Sequence, residues 1–209
     1  MQDKSKIVNV TMIRENLDHI PRFPLRRPYK YRWYRPGDAQ HWYRIWSTAD
    51  AGRGVATPET FARDFGSDDD ALAKRQVYVC DATGNPVATA TAWFRNDYYG
   101  HDHGLVHWVA VAPEAQGRGL SKPLVATVLK RMVKLGHERA MLVTQPYRTR
   151  AIKVYLDLGF LPDLKPDDAP YLWREVRAAM PGSLLDGLDL GGREAFPSPP
   201  PGAPPPQRD

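Results

Sequence analysis

The fold is decided by one stretch: Leu105-Val106-His107-Trp108-Val109-Ala110-Val111-Ala112-Pro113-Glu114-Ala115-Gln116-Gly117-Arg118-Gly119-Leu120-Ser121. An apolar run of strand length stops at Pro113, and a helical pattern begins at Ser121. A buried strand that turns through glycines into a helix start is a device for holding phosphate. The first N–H groups of a helix have no intrahelical partner, and the helix dipole adds partial positive charge there. Glycine lets the backbone approach an anion where a Cβ would stand in the way.

Three kinds of glycine loop compete for this stretch. A P-loop needs Gly-Lys-Ser/Thr, and Ser121-Lys122 has no such arrangement around it. A dinucleotide fingerprint needs a third glycine, where this chain has Lys122, and no acid follows at the distance that would hold a ribose. The pattern Q/R-x-x-G-x-G/A directly after a strand does fit. It resembles the acetyl-CoA-binding motif of the GCN5-related N-acetyltransferases (GNAT family). A second segment, Ala151-Ile152-Lys153-Val154-Tyr155-Leu156-Asp157-Leu158-Gly159-Phe160, resembles that family's A-I-x-x-Y-x-x-x-G-F element. The resemblance covers residues 28 to 178, with its specific motifs confined to 105–160. This sequence departs from the family at Ser121, where Gly or Ala is usual. It departs again before the second motif, where Gln145-Pro146-Tyr147-Arg148-Thr149-Arg150 replaces a pantetheine-orienting Asn.

Composition sets the outer limits. The chain has 209 residues and is 42% apolar, enough for one sizeable core with extensions. No apolar run is long enough for a membrane-spanning helix. The start, MQDKSKIVNV, has no apolar signal core, and the single cysteine, Cys80, excludes an internal disulfide framework. Both point to a cytoplasmic protein. A net charge of +5 and a pI near 9.3 suit an anionic ligand, coenzyme A or nucleic acid alike.

Along the chain, residues 1–27 read as an N-terminal extension without periodicity. Tyr29, Tyr31 and Trp33 alternate as a first strand, and Asp38 stands as N-cap before a helix over Ala39–Ala49. Thr57-Pro58 opens a short helix. Gln76–Cys80 and Val87–Phe94 form a hairpin, and Asn96–Gly104 reads as a polar loop. The central strand is 105–112. Ser121–Leu135 is a helix with Leu124, Val128, Met132 and Leu135 on one stripe. Ala140–Thr144 is a strand, Arg150–Leu158 a helix, and Pro170–Val176 either. From Pro181 prolines crowd a segment poor in apolar residues, which predicts a disordered tail over 181–209.

The resemblance implies an α/β fold, a mixed and mostly antiparallel sheet flanked by helices, over 28–180. It implies transfer of an acetyl group from acetyl-CoA to a primary amine by direct attack in a ternary complex. In that reading a backbone N–H freed by a bulge in the central strand, Trp108 to Val111, polarises the thioester. Val109, Ala110, Val111, Gln116, Gly117, Arg118, Gly119, Leu120, Ser121 and Arg148 would then hold the coenzyme. Tyr155 matches the tyrosine that protonates the departing sulfur, since a phenol can reprotonate a thiolate; the alternative is an aromatic core residue. His107 can take the amine proton directly or through water, or be a buried histidine with a backbone partner. Glu114, His101, Asp102 and His103 are weaker candidates. The last three invite a metal reading but lack further ligands, so no metal is expected. Cys80 reads as core, and the basic-aromatic run Arg26–Arg35 as a half-buried strand rather than a nucleic-acid platform. Trp42, Trp46, Tyr98 and Tyr99 are candidates for lining the acceptor pocket, with core packing favoured for the tryptophans. The expected partners are a small-molecule or peptide amine, with a second copy of the chain as an option, and neither membrane nor nucleic acid. The rival is a non-catalytic acyl-CoA-binding or nucleic-acid-binding module on the same fold.

Overall fold

The structure is a computed structural model, and residues 8–49 and 56–191 are described. Its seven strands are β1 (Val10–Arg14), β2 (Lys30–Trp33), β3 (Gln76–Cys80), β4 (Pro86–Tyr98), β5 (His101–Val111), β6 (Ala140–Thr144) and β7 (Leu161–Pro162). They lie in the order β2-β3-β4-β5-β6-β1-β7. All neighbours are antiparallel except β5 and β6. The helices are α1 (Ala39–Ala49), α2 (Pro58–Phe65), α3 (Asp69–Arg75), α4 (Ser121–Lys134), α5 (Thr149–Asp157) and α6 (Ala169–Ala178). This is the mixed, mostly antiparallel α/β architecture that the resemblance implies.

Local chemistry sets the element ends. Thr57 Oγ1 accepts the Thr60 N–H at 3.1 Å, with Pro58 at the first helical position of α2. Asp68 caps α3 in the same way, accepting from Ala71 N at 2.9 Å. At the β3–β4 turn, Asp81 Oδ1 accepts the N–H groups of Thr83 and Asn85. The start of α1 differs from expectation. The Asp38 carboxylate does not cap the helix; it takes the Arg35 N–H at 2.7 Å and the Arg32 guanidinium at 2.6 Å, fastening β2 to the turn.

The sheet has two apolar faces. On one, Leu124, Val125, Val128, Leu129 and Met132 of α4 pack with Ile152 and Tyr155 of α5 and Trp173 of α6. On the other, Trp42, Ile45 and Trp46 of α1 pack with Phe61 and Phe65 of α2 and Leu72 of α3 over β3 and β5.

Four segments depart from the sequence reading. Residues 1–27, read as an extension, contribute β1, which pairs with β6 from Val10↔Thr144 to Arg14↔Ala140. The buried Arg14 then hydrogen-bonds the carbonyl oxygens of Leu158, Asn16 and Asp18. A five-residue strand with one charged end is too short for periodicity to reveal. Asn96–Gly104 is no loop: β4 runs on to Tyr98 and β5 starts at His101, closing a hairpin. The stretch Asp69–Arg75, unassigned from sequence, is α3, and Pro170–Val176 falls within the helix α6. The predicted disordered tail begins too early. Leu185, in a 3-10 turn over Leu184–Gly187, and Leu190 join the main core at 0% and 3% exposure. The proline-dense part of that tail, 197–206, lies outside the described residues.

A chain ending at Met180 therefore loses two core leucines. Their burial contributes about 3–6 kcal/mol in all. With a slope of about 2–4 °C per kcal/mol for a chain of this size, its melting temperature falls by roughly 6–24 °C below that of a chain ending at Gly191. Equal melting temperatures would show that the two side chains contribute nothing.

Candidate active site

The centre of the site is an irregularity in β5. Thr91 of β4 pairs with His107 and Thr89 with Ala110, so Ala90 alone faces both Trp108 and Val109. This is a β-bulge, and Trp108 sits in it at φ +51°, a left-handed conformation that a bulky residue seldom adopts. The extra residue breaks the inside–outside alternation. His107 and Trp108 both lie on the α1–α2 face, next to Phe65 and the α1 tryptophans, while Val109 packs against the α4 face.

On its other edge β5 parts from β6. Parallel pairing covers only Gly104↔Ala140 and Leu105↔Met141. β6 stays with β1 up to Thr144, and β5 stays with β4 up to Val111. The sheet is thus split beyond Leu105, and the β6-facing amides of β5 after that point have no strand to bond. A slot with unpaired backbone donors on one wall is suited to an extended ligand that carries its own amides and carbonyls.

The slot runs into the glycine loop. Gly117 and Gly119 both have φ +73°, and a Cβ on either would meet no protein atom within 4 Å. Their backbone needs glycine for its conformation, and the space beside them is open to a ligand. Gln116 Nε2 donates to the Val111 carbonyl at 3.1 Å, tying the loop to the end of β5. The loop delivers the chain to α4, whose start has no side-chain cap, so its first N–H groups face the loop. Leu120 anchors the loop from below, 2% exposed in the core. Ser121 begins the helix as expected.

A cleft of about 660 Å³ opens beside the loop, lined by Phe23, Arg26, Arg27, Arg118, Gly119 and Lys122 among others. Lys122 is ion-paired with Asp157 at 2.7 Å and stands over the Phe23 ring. Arg26, Arg27 and Arg118 are exposed. Arg26 and Arg27 were read from sequence as part of a half-buried strand rather than a nucleic-acid platform. β2 begins later, at Lys30, and leaves them on the cleft.

Tyr155 lies on α5, buried against Phe160, and burial pushes its phenol up to about 12 against the opposing charge of Arg148. It keeps its proton at any working pH. Arg148 immediately precedes α5, its guanidinium 5.8 Å from the Tyr147 ring centroid. His107 lies on the opposite face of the sheet from Tyr155, its Nε2 4.0 Å from Asp64 Oδ2. Burial pushes its imidazole down to about 4 despite Asp64, so it is neutral near pH 7. Asp64 was not singled out from sequence; a lone acid in a short amphipathic helix carries no signal of its own.

The remaining candidates lie apart. His103 Nδ1 faces the His101 carbonyl, Asp102 accepts the Asp97 N–H, and Glu114 meets Arg44 at the surface. Among the described residues no three His, Cys, Asp or Glu side chains converge. Cys80 is buried in β3. Trp42 and Trp46 are core residues at 0% and 8% exposure; Tyr98 donates to Asp163, and Tyr99 is exposed beneath Lys165.

The acetyltransferase (GNAT) family model matches residues 30–160, more than half of the chain, and the chain belongs to that family. The chain spans less than half the length of the first relatives it matches. It is 46% identical over 57 residues to a mycothiol acetyltransferase of Pseudarthrobacter chlorophenolicus; that match covers 27% of this chain and 18% of the relative. In fold it is similar to a GCN5-related N-acetyltransferase from Sphaerobacter thermophilus, with a TM-score of 0.60 and 21% identity over 74% of this chain and 48% of that one. It is also similar to AAC(6')-Iy, solved with the bisubstrate analogue CoA-S-monomethyl-acetylneamine, with a TM-score of 0.50 and 24% identity over 64% of this chain and 90% of that one. No helix of the described residues is long and apolar enough to cross a membrane.

The histidines give the site a pH signature. Burial, the leading cause in each case, lowers the pKa of His41, His103, His107 and His137. Their neutral forms are favoured in the folded chain, so the unfolded chain takes up protons first as pH falls below about 6.5. Stability is therefore full above that pH and declines as pH drops toward 4, where His107 itself protonates. His107→Gln removes the most displaced of these groups. Melting temperatures measured from pH 7 to pH 4.5 should fall less steeply in the variant; parallel curves would mean that His107 titrates alike folded and unfolded.

Proposed function

We propose that the chain is an N-acetyltransferase that moves an acetyl group from acetyl-CoA to a primary amine by direct attack in a ternary complex. The observation that carries this reading is the split between β5 and β6, with a bulge on one wall and the glycine loop at its end. A thioester on a long polar arm with a pyrophosphate behind it has the same order of parts.

In this reading the loop amides of 117–121 and the start of α4 hold the pyrophosphate, and Arg118 neutralises it from outside. Arg26, Arg27 and Lys122 face the phosphorylated adenosine end in the neighbouring cleft. The free amides of β5 bond the pantetheine arm, and the bulge at Trp108–Val109 directs an N–H at the thioester oxygen. Tyr155 gives a proton to the sulfur as the carbon–sulfur bond breaks. A phenol held near 12 is a weak acid, so the transfer is concerted with bond cleavage rather than ahead of it. His107, neutral and 27% exposed, accepts the amine proton and passes it to water. Its low pKa suits relay rather than storage.

The amine acceptor approaches from the side of α1 and α2, where the partly exposed His107 side chain stands beside Asp64. The AAC(6')-Iy complex, in which CoA is joined to an acetylated neamine, supports an amine as acceptor class. A cytoplasmic location is part of this reading.

Thiol release from acetyl-CoA across a panel of amines, polyamines, aminoglycosides and peptides tests the proposal. Transfer to at least one amine is expected. Binding without transfer to any of them would favour a non-catalytic acyl-CoA sensor. Intact mass after incubation with acetyl-CoA alone should show no adduct. A stoichiometric acetyl group on Cys80, chased off by an amine, would replace direct attack with a covalent route.

Tyr155→Phe keeps the ring and removes the proton. Turnover should fall roughly 10²-fold, within the range for general acid catalysis, while acetyl-CoA affinity changes little. An unchanged rate under conditions where chemistry limits turnover would reduce Tyr155 to packing.

A further inference from the structure

The bulge in β5 is held from one side by two hydrogen bonds that belong to no backbone ladder. The Trp46 Nε1–H donates to the Trp108 carbonyl oxygen at 3.2 Å. The Trp108 Nε1–H donates to Asp64 Oδ2 at 2.7 Å. Between them the Trp108 ring is packed edge-on against Trp42 and Trp46, with centroids 4.9 and 4.6 Å away. We propose that Trp46 and Asp64 are positioning residues for acyl transfer: they hold the Trp108–Val109 peptide so that its N–H points into the slot where the thioester carbonyl lies. The proposal rests on the transferase reading above.

The geometry of one peptide unit carries the argument. The Trp108 carbonyl and the Val109 N–H belong to the same plane, and in a trans peptide they point in opposite directions. A donor on α1 that fixes the carbonyl toward the helix also fixes the N–H away from it. A carbonyl that accepts a hydrogen bond polarises its own amide, which makes that N–H a stronger donor.

The conformation also needs support. A tryptophan at φ +51° is strained by about 1–3 kcal/mol and persists only where its surroundings over-determine it. In regular alternation Trp108 would turn to the α4 face, which Leu124, Val125, Val128 and Leu129 already fill without exposure. The aromatic pocket of α1 and α2 receives the ring instead, and Asp64 satisfies its indole N–H, which would otherwise lack a partner in that pocket. Asp64 also lies 4.0 Å from His107, so one carboxylate contacts both the bulge residue Trp108 and the residue just before it. The sum is a preorganised donor whose aim is set about two side-chain layers away from the substrate.

The test separates this claim from the transferase reading. Acetyl-CoA labelled with ¹³C at the thioester carbonyl is bound to the wild-type chain, and the carbonyl stretch is read by difference infrared spectroscopy, with affinity from calorimetry. A polarised carbonyl absorbs at lower frequency than free acetyl-CoA. Trp46→Phe keeps most of the ring and removes the donor. The proposal expects near-native affinity, a stretch moved back toward the free value, and turnover lowered roughly 10- to 100-fold. Asp64→Ala should act in the same sense. Asp64→Asn still offers an oxygen to the indole and should recover most of what Asp64→Ala loses; the Asp64 pair also decides the matter if Trp46→Phe fails to fold. Failure of the wild-type chain to bind acetyl-CoA would sink the transferase reading itself. Binding with an unshifted wild-type carbonyl, or a shift that survives both Trp46→Phe and Asp64→Ala, would overturn the positioning role alone.

Discussion

One extra residue in β5 governs the rest of the molecule. Ala90 of β4 faces two residues, Trp108 and Val109, where a regular ladder would give it one. A bulge bends and twists its strand. Here the strand leaves β6 after Leu105 while β6 remains fixed to β1. The split sheet, the unpaired amides along it and the placement of two consecutive aromatic side chains on one face all accompany that insertion. A regular β5 continuing that register would pair with β6 as far as Thr144 opposite Trp108 and close the first part of the slot.

The two faces of the sheet divide the labour. The α4–α5 face carries the glycine loop, the cationic cleft and Tyr155, groups suited to the phosphates and the departing sulfur. The α1–α2 face carries His107, Asp64 and the tryptophan cluster. Both sides meet at the bulge. On the proposed reading, Tyr155 serves the departing sulfur from one face of the sheet and His107 the incoming amine from the other, the two substituents meeting at one tetrahedral carbon. Burial pushes both groups away from their ordinary pKa values in opposite directions. Each is held neutral in an apolar setting.

Much of this was legible in the sequence because it depends on local pattern. The apolar run before Pro113, the glycines at 117 and 119 and the stripe of α4 each carry a physical reason that needs no partner. So did the caps at Thr57 and the turn at Asp81. What escaped depends on distant pairing. β1 is a strand only because β6 and β7 flank it. Leu185 and Leu190 are core only because α6 returns the chain to the main apolar face, and a proline-rich context hid them. Arg26 and Arg27 looked like part of an alternating strand until the strand proved to begin after them. Asp64 and the indole of Trp46 matter through Trp108, which is 44 and 62 positions away along the chain. The slot itself is a missing interaction between strands, and no residue type announces one.

Amide hydrogen exchange with and without saturating acetyl-CoA tests the central claim most directly. The account predicts slower exchange at the amides of 106–111 and of 117–121 when acetyl-CoA is present, with β1 and β7 unchanged. Protection confined to other elements, or none at 106–111 despite measurable binding, would contradict the assignment of the split sheet as the acyl-transfer site.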